Sequence, residues 1–181
     1  MMNLPNQLTL LRVILIPVFM FYLLKETPSG DKIALVVFVI ASFTDFLDGY
    51  IARSRNLVTN FGKFIDPLAD KLLVTAAFLC FIQLGKVSAW VVFVILAREF
   101  IVSIFRAIAA ADGKVIAASI YGKAKTVSQM IAIVIVLLNN YPFSHFGLPM
   151  DIIMIYVATA LTLISGLDYI VKNKEVLMET K

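Results

Sequence analysis

The stretch DFLDGYIARSRNLVTNFGKFIDPLAD, residues 45–70, decides how the rest of the chain is read. It holds four aspartates, Asp45, Asp48, Asp66 and Asp70, and the sequence on both sides is almost unbrokenly apolar. Asp45 and Asp48 are spaced i, i+3, and Asp66 and Asp70 i, i+4, so on two helices each pair shares a face. Gly49 falls on the face of Asp45, and Gly62 lies one turn before Asp66. Two antiparallel helices joined between the pairs bring both pairs, each with its glycine, to one depth.

Working outward, the 181 residues are 61% hydrophobic, with a mean hydropathy of +0.93. Soluble domains are roughly 45–50% apolar, so the composition points to a membrane protein. One cysteine, Cys80, excludes an intrachain disulfide, and one histidine, His145, excludes a multi-histidine zinc site. The net charge of +4 comes with no basic run, which argues against nucleic acid as a partner. The N-terminus has no basic segment before its apolar run and no small-x-small cleavage site after Leu24, so it is taken as a span.

The expected fold is an all-α integral membrane protein. Its six spans run roughly from Thr9 to Leu24, Lys32 to Arg53, Phe61 to Leu84, Ser88 to Ala110, Ala118 to Asn139 and Asp151 to Val171. Each approaches the length of about 20 residues that a bilayer core requires, although the uncharged runs are short, twelve residues in Val13–Leu24 and twelve in Ile33–Thr44. Asn6 is the expected N-cap of the first helix, and Leu4, Leu8 and Leu11 suggest a short amphipathic piece at the interface. With the N-terminus in the cytoplasm, twelve of the sixteen Lys and Arg fall on the cytoplasmic side and three (Lys25, Lys32, Lys86) on the other. The positive-inside rule then puts both termini and the aspartates in the cytoplasm.

Four carboxylates near membrane depth need compensation, because each costs about 2.5–3.5 kcal/mol there and like charges add to that. One solution is an ion-paired helix junction, with Arg53, Arg55, Lys63 and Lys71 as counter-ions. The other is two divalent cations, whose charge matches four aspartates. Oxygen-only ligands favour Mg2+, Mn2+ or Ca2+ over zinc, and paired metals commonly clamp a phosphoryl group.

Asp45, Asp48, Gly49, Ala52, Arg53, Gly62, Asp66 and Asp70 resemble the signature of the CDP-alcohol phosphatidyltransferase family, D-x2-D-G-x2-A-R-x8-G-x3-D-x3-D, with no departure in residue or spacing. The resemblance implies one membrane domain over residues 1–181 that moves a phosphatidyl group from a CDP-linked lipid to an alcohol, releasing CMP. By that likeness the four aspartates ligate two divalent cations, Mg2+ or Mn2+. Gly49, Arg53 and Gly62 hold the cytidine diphosphate, Asp70 is the general base, and the protein is a homodimer in a bacterial cytoplasmic membrane. Asn6, Thr9 and Arg12 are expected at the nucleotide entrance.

Further cations point to the acceptor. Glu99, Ser103 and Arg106 share a helix face, and Lys123 and Lys125 open the fifth span with Gln129 one turn on. A cationic pocket implies an anionic alcohol, and sn-glycerol 3-phosphate fits best. The stretches AREFIVSIFR (97–106), GKAKTVSQ (122–129) and LPNQLTLLR (4–12) are similar to the phosphatidylglycerophosphate synthase branch of the family. Lys123 and Lys125 are two apart, so both reach one pocket only if Gly122 and Lys123 are still loop. The bland alternative is lysines reaching to lipid headgroups. Arg98 and Glu99, deeper in the fourth span, are expected to pair with each other or across helices. Serine, inositol phosphate or phosphatidylglycerol as acceptor, and an ion-coupled transporter, are the competing functions. The transporter is disfavoured because no internal repeat is visible.

Overall fold

In a computed structural model the chain is all-helical among the described residues, which are 3–54, 60–111, 116 and 119–174. The side chains of residues 46, 49, 50, 52–54, 60, 61, 63, 64, 66, 67, 70 and 111 lie outside the description. Six α-helices follow one another: α1 Leu4–Leu23, α2 Pro28–Ser54, α3 Asn60–Gln83, α4 Ala89–Ala111, α5 Ile120–Leu137 and α6 Met150–Lys172. A single 3-10 turn, Phe143–Phe146, precedes α6.

Each expected span is therefore a helix. Among the described residues α1, α5 and α6 are long and apolar enough to cross a membrane. The apolar runs of α2, α3 and α4 are interrupted by charge: Asp45 and Asp48, Asp66 and Asp70, and Arg98, Glu99 and Arg106. Residues 4–8 are the opening turns of α1 and not a separate element. The cap of α1 is Asn3, not Asn6. The Asn3 side chain accepts the Asn6 N–H at 3.1 Å, and Pro5 sits in the first turn, where its missing N–H costs nothing.

The described residues fall into two compact units, Met1–Lys86 with Leu137–Asn139, and Val87–Val136 with Asn140–Lys181. In the first unit α1 packs along α2 and against α3. The buried face of α1 (Asn6, Thr9, Arg12, Ile16, Phe19, Leu23) recurs every three or four residues, the helical period. Phe19 meets Phe38 of α2 at 5.8 Å between ring centroids. Ala34 and Ala41 of α2, and Ala69, Ala76 and Ala77 of α3, are buried beside them, and such small residues let helix backbones approach. Far along the chain, Asn139 adds a polar tie, donating to Asp31 at 2.9 Å and accepting from Lys86 at 2.8 Å.

In the second unit α4 packs on α6. Val102 and Phe105 of α4 and Tyr169 of α6 are buried together, with Ile116 against them. The buried face of α6 is made largely of small residues, Ala158, Thr162, Ser165 and Gly166. On the outer side of α4, Phe93, Phe100 and Ile104 are each 61% exposed. Their spacing of seven and four makes one apolar stripe, the surface a helix offers to lipid.

The start of α2 gives a stability prediction. Thr27 precedes Pro28, and its Oγ1 accepts the Gly30 N–H at 3.1 Å, a side-chain cap. A Cβ at Gly30 would stand 2.5 Å from the Tyr22 carbonyl oxygen, which is backbone and has no rotamer to escape through. In detergent melts, Thr27→Ala is expected to cost about 1 kcal/mol. Gly30→Ala is expected to lower the melting temperature further than Thr27→Ala does.

Candidate active site

The first half of the aspartate motif is held from α1. Arg12 is fully buried. Its Nη1 lies 2.9 Å from Asp45 Oδ1, and its Nη2 bonds Asp48 Oδ2. Because Asp45 and Asp48 are one turn apart on α2, a single planar guanidinium spans both; a lysine ammonium, a point charge on one flexible stem, cannot reproduce that fork. Thr9 lies one turn before Arg12, with Oγ1 3.1 Å from Asp48 Oδ2 and 3.1 Å from the Pro5 carbonyl oxygen. Asn6, one turn earlier again, is buried on the same face. The Asp48 side chain is buried, whereas that of Asp45 is 44% exposed.

Sequence reasoning looks to Arg53, Arg55, Lys63 and Lys71 for counter-ions and sets Arg12 at the nucleotide entrance. In the structure Arg12 grips the two aspartates. One signal for this was present: Asn6, Thr9 and Arg12 form a polar series at a spacing of three inside an apolar segment, and a charge there calls for a partner. Gly62 is buried in α3. Gly49 and Arg53 lie in α2, and Asp66 and Asp70 one turn apart in α3. The side chains of these four lie outside the described residues.

The second unit holds the other expected residues. Helix α5 begins at Ile120, so Gly122, Lys123 and Lys125 are all helical. The two lysines accordingly diverge: Lys125 is buried and Lys123 is exposed. Lys125 Nζ bonds Glu99 Oε1 on α4. Arg98 Nη1 reaches the same oxygen at 3.5 Å, so the expected pairing is both sequential and between helices. Ser103 bonds the Glu99 carbonyl oxygen at 2.5 Å. One turn beyond Lys125, Gln129 donates to Thr162 of α6 at 3.0 Å. Arg106 is exposed, with its guanidinium 5.4 Å from the centre of the Tyr169 ring.

Residues 2–164 match the profile of the CDP-alcohol phosphatidyltransferase family. The chain belongs to that family. It is 45% identical to the CDP-diacylglycerol–glycerol-3-phosphate 3-phosphatidyltransferase of Bacillus subtilis over 98% of each chain. It is 40% identical to the protein of the same name from Rickettsia bellii, over 92% of this chain and 93% of the relative. The Haemophilus influenzae protein of that name is 36% identical over 98% of this chain and 96% of its own.

For a member of this family, the described part of the motif can be tested against a divalent ion. Asp45 and Asp48 supply hard carboxylate oxygens, the donor type that Mg2+ and Mn2+ take. Arg12 engages Asp45 through Oδ1, and the half-open side chain leaves its other oxygen for a cation. The donors fit. Among the described residues no group of three or more such ligands comes together.

Removing one member of a buried ion pair strands the other charge and costs about 3–5 kcal/mol. Arg12→Met is therefore expected to lower the melting temperature sharply. Adding Asp48→Asn removes the stranded carboxylate and should recover part of the loss. A double-mutant cycle on detergent-solubilised protein checks this, with an expected coupling of about 2 kcal/mol or more.

Proposed function

We propose that the chain transfers a phosphatidyl group from CDP-diacylglycerol to sn-glycerol 3-phosphate, giving phosphatidylglycerophosphate and CMP. The observation that carries the reading is the 45% identity, end to end, with a relative whose name states both substrates. The complete eight-position motif and the buried Arg12 fork support it from the chain's own residues.

In this reading Asp45, Asp48, Asp66 and Asp70 hold two divalent cations, Mg2+ or Mn2+, which when bound neutralise the donor's diphosphate. Arg12 keeps the first two carboxylates paired and aimed. Gly49 and Gly62 leave room for the cytidine diphosphate, Arg53 pairs with its phosphate oxygens, and Asn6 and Thr9 border it. Asp70 accepts the proton of the acceptor hydroxyl as that oxygen attacks the phosphatidyl phosphorus. The bond from that phosphorus to the bridging oxygen breaks, and CMP leaves with the oxygen. Arg106 and Lys125 attract the acceptor phosphate; Lys123, expected with them, points away from Lys125 on the helical α5.

We read all six helices as crossing the bilayer, with the Leu4–Leu11 turns at the interface and both termini and the site in the cytoplasm of a bacterium. The distribution of Lys and Arg and the exposed apolar stripe of α4 support this. The whole chain works as one catalytic domain, and as a homodimer.

Purified protein given CDP-diacylglycerol should release CMP on addition of sn-glycerol 3-phosphate. EDTA should abolish the release, and Mg2+ or Mn2+ restore it. Asp70→Asn should lower kcat by about 10²–10⁴-fold. Turnover with serine or inositol phosphate, and none with sn-glycerol 3-phosphate, would reject the acceptor; CMP release indifferent to EDTA would reject the metals.

A further inference from the structure

The link between α5 and α6, residues 138–149, carries no Asp, Glu, Lys or Arg. In the topology proposed above it faces away from the cytoplasm, as do two other links. Both of those are charged: the α1–α2 link holds Lys25 and Glu26, and the α3–α4 link holds Lys86. The longest of the three is therefore the one without charge.

What this link exposes is apolar. Phe146 is 75% exposed, Tyr141 58% and Leu148 46%. No residue of its 3-10 turn is buried. Positions three apart eclipse one another in a 3-10 turn, so Phe143 and Phe146 share one edge, while Ser144 and His145 take the others. The turn has an aromatic edge and a polar one.

The backbone is suited to leaving water. The Asn140 N–H donates to the Ile135 carbonyl at 3.0 Å, that of Ser144 to Asn140 at 2.9 Å, and that of Leu148 to Phe143 at 3.2 Å. Gly147 closes the turn in the left-handed region, with φ 65°. The Asn140 side chain ties both ends of the link. Its Nδ2 donates to the Leu148 carbonyl oxygen at 2.7 Å, and its Oδ1 accepts the Asp151 N–H at 3.3 Å. Pro149 gives α6 no side-chain cap, so Asn140 supplies one from eleven residues back. Backbone groups bonded within the link need no water to satisfy them. The link and the first turn of α6 form one bonded piece.

Continuity names the occupant. Helix α6 is long and apolar enough to cross a membrane, and just past the link Ile152 and Ile153 are exposed. In the same unit Trp90, at the start of α4, is exposed with its ring 6.3 Å from that of Phe93. Tyrosine and tryptophan gather where a bilayer meets water. The bilayer edge is thus the nearest apolar surface to the link, and the link offers a soluble partner no charge to recognise.

We propose that residues 138–149 are a foot that seats Tyr141, Phe146 and Leu148 in the headgroup–acyl boundary of the leaflet opposite the active site. Ser144 and His145 turn to water. Through Asn140, the foot fixes the depth at which α6 starts. Its partner is the lipid surface itself. The foot rests on the topology proposed above and on no residue of the catalytic machinery.

The test is the fluorescence of Phe146→Trp in a Trp90→Phe background, which holds a single tryptophan. The full chain is reconstituted in phosphatidylcholine vesicles. Lipids brominated along their acyl chains should quench the emission, placing the ring about 5–10 Å into the boundary. Iodide on both faces of the bilayer should quench it several-fold less than it quenches tryptophan amide in solution. Leu148→Trp in the same background should give the same pattern, and serves if Phe146→Trp does not fold. The thiol introduced by His145→Cys, in Cys80→Ala protein, should react with a membrane-impermeant maleimide in intact spheroplasts.

Iodide quenching equal to that of tryptophan amide, with brominated lipid silent, puts the link in water and overturns the proposal. Shielding from both quenchers assigns the face to a protein surface such as a second copy of the chain, and overturns it too. If His145→Cys reacts only after the spheroplasts are opened, the topology fails, and with it the leaflet named here, whatever the quenching shows.

Discussion

A charge inside an apolar helix packing must be met by another charge, and in the first unit one arginine does this for two aspartates. Arg12 and Asp48 are both buried. Separately, each is far more costly to hold in a low-dielectric interior than as a pair. The guanidinium fork links α1 to one turn of α2 and fixes the direction of two candidate ligands at once. The apolar packing of Phe19, Leu23 and Phe38 gives α1 and α2 their adhesion. The fork sets their register, because a helix slipped by one residue would turn Arg12 away from both carboxylates. Fold and chemistry therefore share one residue: the group that lets the aspartates exist in this setting also points them.

The second unit follows the same rule with a different balance. Glu99 is met by Lys125 from α5 and by Arg98 beside it. The small residues on the buried face of α6 let α4 come close enough for the long arginine stem to lie across Gly166. Among the described ion pairs, Arg12 meets two aspartates in the first unit, and Glu99 meets two cations in the second.

Much of this was legible in the sequence. The aspartate motif reads directly, since its spacing is local and fixed by the helical repeat. All six helices follow from apolar runs between breakers, and their ends differ from expectation by a few residues. The start of α1 was misjudged because Asn3 and Asn6 are equally good caps by type, and only the backbone tells which one turns. Contacts between helices were the weak point. Arg12 and Asp48 are 36 positions apart, and Lys125 and Glu99 are 26 apart. No periodicity connects such residues. Lys123 and Lys125 could share a pocket only if Gly122 and Lys123 were loop, and α5 starts before them, at Ile120.

The hydroxyl of Thr9 stands equally far from the Asp48 carboxylate and from the Pro5 carbonyl. It has one proton and can give it to only one of them at a time. It is in effect a small rotor with two resting positions. Pointed at Asp48, it adds to the hold of Arg12 on that carboxylate; turned back, it bonds its own helix at Pro5. The exchange turns a single torsion and displaces no backbone atom. A hydroxyl placed this way can change partner on the timescale of a side-chain flip, with α1 and α2 holding still.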